Sequence, residues 1–347
     1  MTSTSAVAFG ASFPTQFTTS TTPARCRSKD RRVVQWLMAV WLLLSAAPLA
    51  SQERRIAVTI DDLPAVSVAD TAEVTFITTM LLEALEAHGV TAVGFVNAGK
   101  LGDDPTLRGI RIDVLRRWLA ADHALGNHTA FHLSPNDVPL TASLADITAG
   151  DSVPRALSAE VGRPYRWFRQ PYLHGGTTDS VRTSIDSVLS ALELRTSPVT
   201  IDPKDWLFAA AWRNAAATGN ASGTKGVEKA FLDYAEAVLA YHERLAKTLT
   251  GGAIPHVLLL HANPMTAVVL DRLLTRIHAR RYAFVPLDEA MQDPVYARPD
   301  QYRGAVGLAW LQRQAMYQRG VRIDDNPLPP AWIEALAGVS DATVHPY

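Results

Sequence analysis

The chain has 347 residues, a formal net charge of −1 and a hydrophobic content of 48%. That length allows two domains or one extended α/β barrel, and the apolar content supplies a large core without a membrane-embedded composition. The near-zero charge, with no Lys/Arg block beyond residue 60, excludes an electrostatic case for nucleic acid and favours small or weakly charged substrates.

Residues 1–25 are Ser/Thr/Ala-rich with no apolar period, which predicts disorder. The basic stretch RCRSKDRR then precedes VVQWLMAVWLLLSAAPLA, an apolar run of about fifteen residues followed by small residues before Ser51. The run is shorter than the ~20 residues of a spanning helix. It reads as an export signal, with an uncleaved N-terminal anchor as the alternative. The expected location is therefore periplasmic, cell-envelope or extracellular, with membrane contact only if the segment is retained. The single cysteine, Cys26, precedes the apolar run, so a cleaved product carries none. Any metal must then be held by histidines and carboxylates.

Beyond this N-terminal region (1–52) the pattern becomes regular. RRIAVTI (54–60) predicts a buried strand that stops at a turn, DDLP. Residues 73–89 have helical apolar spacing and end in Gly89, a plausible C-cap. A strand is predicted over 90–96, a helix over 106–122, and a short extended segment at a loop over 123–129. One helix is expected over about 140–161, then strands at RWFRQPY (166–172) and SPVTID (197–202). The Gly/Ala/Ser/Thr-rich 215–226 reads as an exposed loop before an amphipathic helix over 227–249. HVLLLH (256–261) is the clearest buried strand, followed by a helix over 265–281 and a strand at YAFVPL (282–287). Past Pro294 the pattern is irregular, with a helical piece near 304–319 and a Pro-rich end. Strands alternating with helices imply parallel strands with helical crossovers. Six or seven such units over about 240 residues predict an α/β fold, an irregular (β/α) barrel with about seven parallel strands.

The polar residues of interest each follow a strand: Asp61 and Asp62 after IAVTI, Arg169 in RWFRQPY, Asp202 and Asp205 after SPVTI, and His261 at the end of HVLLL. Active sites of parallel barrels form at that rim. Taken singly, each has an ordinary reading. An Asp-Asp pair is commonly turn chemistry or a helix N-cap. His128 and His132, four apart, suit a shared metal on one helical turn but equally suit two satisfied histidines. Arg169 fits a surface position, and Asp205-Trp206 fits a helix start. His261 is harder to dismiss, because a buried imidazole must find partners. His123, His174 and His256 take the structural reading.

In combination, TIDD, GNHTAFH, RQPY, DPKDW and LLLH, in that order over residues 59–261, resemble the polysaccharide deacetylase family (carbohydrate esterase family 4). With the surrounding alternation, the resemblance extends over 53–295, expected as the deacetylase-like catalytic domain, and leaves 296–347 as a helical extension without an assigned function. The resemblance implies that Asp62, His128 and His132 bind a divalent metal. It further implies Asp61 as general base, Arg169 as the residue that orients it, and His261 as general acid. Asp205 would polarise His261, Trp206 would wall the groove, and the backbone N–H of Tyr172 would help form an oxyanion hole.

Residue chemistry agrees with that assignment. Three protein ligands leave room for water and substrate, and a His₂Asp set favours Zn²⁺, or Co²⁺ or Ni²⁺, over Mg²⁺ and Ca²⁺. The expected activity is metal-dependent removal of acetyl groups from an N- or O-acetylated carbohydrate. Two departures qualify the substrate: Leu63 follows the Asp pair and Leu173 follows RQPY, both where the family often has Gly, and both are expected to line the groove. They motivate an alternative, an esterase or amidase on a small non-sugar substrate. A catalytically silent glycan-binding protein is the alternative from another class, disfavoured by the presence of both Asp61 and His261.

Overall fold

The computed structural model describes residues 54–339, apart from 319, 322 and 324. The chain divides into Met1–Ala50 and Ser51–Tyr347, and the description concerns the second unit. The disordered stretch and export signal expected in the N-terminal region lie outside the described residues. Among the described residues no helix is long and apolar enough to cross a membrane.

Seven parallel strands form one sheet: β1 (Arg54–Leu63), β2 (Val93–Val96), β3 (Ala124–Asn127), β4 (Trp167–Phe168), β5 (Arg195–Thr196), β6 (His256–His261) and β7 (Tyr282–Phe284). Their order is β5-β4-β3-β2-β1-β6, with β7 paired to the start of β1. The stretch after β5 bridges to β6 at Ile201–Leu258, so one short length of chain touches both sheet edges. This is the expected irregular α/β barrel. SPVTID, expected as a strand, is not a regular one. It makes only that bridge, reinforced by Thr200 N–H donating to Val257 O at 3.0 Å and Leu259 N–H to Ile201 O at 2.9 Å.

Helices α1 (Thr71–Ala87), α2 (Pro105–Ala120), α3 (Leu140–Ala149), α4 (Ser152–Glu160) and α5 (Asp179–Ala191) precede α6 (Asp205–Ala217), α7 (Ala221–Thr250) and α8 (Pro264–Ala279). Short helices α9 (Leu287–Ala290), α10 (Trp310–Ala315) and α11 (Ala331–Ala337) complete the chain. The single helix expected over 140–161 is two, because the chain breaks at Gly150-Asp151. Gly150 lies where an added Cβ would come 2.5 Å from the Thr129 backbone, so a larger residue would push α3 away from that loop. The loop expected over 215–226 shrinks to three residues between α6 and α7. Asn220 caps α7 by accepting from Gly223 N–H at 2.8 Å, and Val227, Phe231 and Leu232 bury the next turns.

The main core joins β1 and β6 to α1, α2, α6, α7 and α8. Each fully buried Leu, Ile or Phe there contributes roughly 1.5–3 kcal/mol by leaving water. The C-terminal part is wired into this body: Trp310 N–H donates to Val199 O at 2.6 Å, and Asn214 Nδ2 on α6 donates to Leu336 O on α11 at 2.9 Å.

Candidate active site

The first strand does not stop at the Asp pair. β1 runs through Leu63, but its register to β2 shifts between Ile60 and Leu63, and Asp62 adopts φ 70°. This β-bulge overrides the alternation that would send adjacent side chains to opposite faces. Asp61 and Asp62 therefore line the same cavity, together with His128, His132, Gln170, Tyr172, Leu173, Asp202, Trp206 and His261. The cavity, of about 240 Å³, lies at the C-terminal ends of the strands.

The two histidines do not share a helical turn. His128 follows β3, and the chain then loops back with positive φ at Thr129 (65°) and His132 (58°). Asn127 Oδ1 accepts from Thr129 N–H at 2.7 Å, and Thr129 Oγ accepts from His132 N–H at 2.9 Å. Asp146 on α3 accepts from Phe131 N–H at 2.7 Å and Leu133 N–H at 2.9 Å, clamping the loop. These local and long-range acceptors take the place of helical hydrogen bonds, and they bring the two imidazoles to 4.8 Å between ring centroids.

Potential ligand atoms of Asp62, His128 and His132 all lie within 4.8 Å of one another. His128 Nδ1 lies 2.8 Å from Arg169 O, which assigns that nitrogen the proton and leaves Nε2 to face the cluster. Burial lowers the basicity of both histidines, that of His128 well below the ordinary range, which keeps them neutral as metal binding requires. Donor types, tautomer and spacing fit a divalent cation. One neighbour escapes the sequence reading: Lys100 Nζ donates to Asp62 Oδ1 at 2.9 Å.

Asp61 is buried against Arg169, whose NH1 stands 3.3 and 3.4 Å from the two carboxylate oxygens. Arg169 is 1% exposed, and the rest of its fork is used as well. NH2 donates to Thr59 Oγ at 3.1 Å and Ser197 Oγ at 3.0 Å, Nε donates to Ser197 O at 3.1 Å, and the guanidinium lies 4.6 Å from the Phe95 ring centre. Burial pushes Asp61 up to about 6, against the opposing pull of Arg169 and His261.

His261 ends β6, and its Nδ1 lies 2.7 Å from Asp205 Oδ1. Asp205 opens α6 in full burial; its other oxygen accepts from His261 N–H at 2.9 Å, Asn263 Nδ2 at 2.9 Å and Thr266 Oγ at 2.6 Å. Asn263 also caps α8 by accepting from Thr266 N–H, so one helix start and one histidine are fixed together. Burial works against a charged His261, but Asp205 above all, then Asp62 and Asp61, outweigh it and raise the imidazole to about 10. Upstream, Lys204 at φ 52° and the Asp202 Oδ1 bond to its N–H turn the chain so that Asp205 faces inward.

Tyr172 and Leu173 both carry positive φ (56°) and line the cavity, and the Tyr172 ring meets His132 edge-on at 4.5 Å. Backbone strain of ~1–3 kcal/mol per such residue gathers at functional sites. Leu63 departs from expectation: it lines no groove but is fully buried in the core, where Gly94 leaves space that a Cβ would close to 2.2 Å. His123 and His256 bond to Ala92 N–H and Thr200 Oγ away from the cavity. His174 joins Ser134 beside Tyr172. Sequence reasoning missed Lys100, Asp146, Asn263 and Thr266, each of which reaches the site only through the fold.

A search of curated proteins finds no matching sequence. Among solved structures, a peptidoglycan deacetylase from Bacillus subtilis is 18% identical, with TM-score 0.45, covering 73% of this chain and 100% of that one. A family 4 carbohydrate esterase from Streptomyces lividans is 18% identical, with TM-score 0.42 and coverage of 67% and 91%. A family 4 pseudoenzyme from Bacillus anthracis is 18% identical, with TM-score 0.44 and coverage of 70% and 66%. The family model for polysaccharide deacetylase matches residues 49–189, which hold Asp61, Asp62, His128, His132, Arg169 and Tyr172 and stop short of Asp205 and His261. The match covers less than half of the chain, and it is this segment that is similar to the polysaccharide deacetylase family.

Proposed function

We propose that this protein is an exported, metal-dependent hydrolase that removes acetyl groups from an N- or O-acetylated carbohydrate. The observation that carries the reading is the convergence of three groups in one cavity: the Asp62–His128–His132 triad, a buried Asp61, and a His261 paired with Asp205. Asp62, His128 and His132 would hold the cation, with Zn²⁺ the best match to the donors and Co²⁺ or Ni²⁺ next. The chemistry supplied there is Lewis acidity, toward the acetyl carbonyl and toward water.

The chain's own residues do the rest. Asp61, poised near 6, accepts the proton of the attacking water at a carboxylate oxygen. Arg169 fixes that carboxylate and keeps it ionised in a buried setting. His261, charged at neutral pH, delivers its proton to the departing amine or alcohol, while Asp205 holds the ring from the far side. The strained turn at Tyr172 would present its backbone N–H to the developing oxyanion. Trp206 and Leu173 wall the space around the acyl group.

Leu173 supports a second reading, a small non-sugar ester or amide, because its bulk narrows a cavity of about 240 Å³. Acetate release by zinc-loaded protein on chitin oligomers, peptidoglycan, acetyl-xylan and small acetyl esters separates the two. Release from the glycans supports the first, and release from the small esters alone supports the second.

A further inference from the structure

Lys100 sits on the 3₁₀ turn Ala98–Leu101 that follows β2 at the cavity rim. That turn is tied directly to the loop bearing His128 and His132. Ala98 N–H donates to Thr129 O at 3.2 Å, and Gly99 N–H donates to Ala130 O at 2.9 Å. The contact is close enough that a Cβ on Gly99 would come 2.6 Å from Ala130 O. The lysine backbone is thus held in fixed relation to the triad, while its ammonium reaches across to Asp62 Oδ1 at 2.9 Å. The same Oδ1 is the atom 3.9 Å from His132 Nε2. One carboxylate oxygen is therefore shared between a resident cation and the ligand cluster.

Resting on the triad reading above, we propose that Lys100 is a built-in competitor for the metal. Its ammonium satisfies the buried Asp62 whenever the cation is absent, and weakens cation binding when it is present. A buried carboxylate without a partner is costly, so Lys100 keeps the emptied triad folded and preformed. A dication drawing on the same oxygen meets a like charge at hydrogen-bond range, and the lysine must yield. The long stem allows this: the side chain is 22% exposed, and rotation carries the ammonium to water. Loading and release of the metal are thereby set by one side chain that is not itself a ligand.

The test is isothermal titration of Zn²⁺ into chelator-treated protein, for wild type, Lys100→Met, Lys100→Gln and Lys100→Arg. The neutral variants are expected to bind Zn²⁺ at least tenfold more tightly than wild type, and the arginine variant no more tightly than wild type. Melting of the same samples adds a readout independent of catalysis. Chelator-treated Lys100→Met should melt below chelator-treated wild type and gain more on adding Zn²⁺. Equal or weaker affinity in both neutral variants would overturn the competitor role and leave the triad standing. Absence of binding in every sample, wild type included, would overturn the triad and the competitor together.

Discussion

Asp61 and His261 are register partners on the adjacent strands β1 and β6, and Ala262 N–H donates to Asp61 O just beyond them at 3.0 Å. Their environments raise both pKa values but for opposite reasons, Asp61 up to about 6 by burial and His261 up to about 10 chiefly by Asp205 against burial. Between those limits the aspartate is ionised and the histidine charged, the states a base and an acid need. A profile of kcat/KM against pH should rise through about 6 and fall toward 10. A profile flat over that span would disconnect these residues from turnover.

Asp205→Asn tests the source of the basic limb. Without the carboxylate 2.7 Å away, His261 loses its largest stabilising charge, and the limb should move down toward the ordinary histidine range of ~6.5. An unmoved limb would show that the pairing does not govern the acid.

The same pair sets a stability signature. The folded pKa of His261 lies above its unfolded value, so the folded state binds more protons in the interval between them. Its contribution is fully present below the unfolded value of ~6.5 and is lost as pH rises through about 10. The melting temperature of wild type should fall across that window, and that of His261→Gln should fall less. Parallel curves would contradict the linkage.

Arg169→Met removes the cation from a buried pair. The uncompensated Asp61 should cost the fold about 3–5 kcal/mol, read as a lower denaturant midpoint. The surviving protein should show its acid limb above that of wild type, because Arg169 pulls Asp61 down. A midpoint within error of wild type would argue against a structural ion pair here.

Asp146→Ala should loosen the histidine loop without touching a ligand. Three backbone N–H groups, of Ala130, Phe131 and Leu133, lose their side-chain acceptor. Zn²⁺ affinity should fall ~10–100-fold, the range typical of groups that orient metal ligands, with far-UV circular dichroism unchanged. Undiminished affinity would show that the loop holds itself.

What the sequence made legible follows from how local each signal is. HVLLLH is continuous and apolar, and β6 matches it residue for residue. The alternation of strands and helices was likewise readable, because amphipathic periods are carried within single elements. The Asp pair looked like a turn because the bulge that keeps it in β1 is defined only by pairing with β2. The spacing of His128 and His132 suggested a helical turn, while the loop is shaped by Asn127, Thr129 and the distant Asp146. Gly223 and Gly226 made the first turns of α7 look like part of a loop, since propensity is read locally and packing of Val227 and Phe231 is not. Lys100 could not be seen at all, for no pattern announces a lysine that meets an aspartate 38 positions earlier.

The central claim is that Asp61 acts as base beside a metal triad it does not belong to. Acetate release from acetylated chitin oligomers, peptidoglycan and acetyl-xylan by wild type and Asp61→Asn, each first shown to hold one Zn²⁺, tests it most directly. Wild type should release acetate from at least one substrate, and the variant should run at least ~10²-fold slower with its metal retained. Equal rates in the two proteins, or no acetate from the metal-loaded wild type, would contradict it.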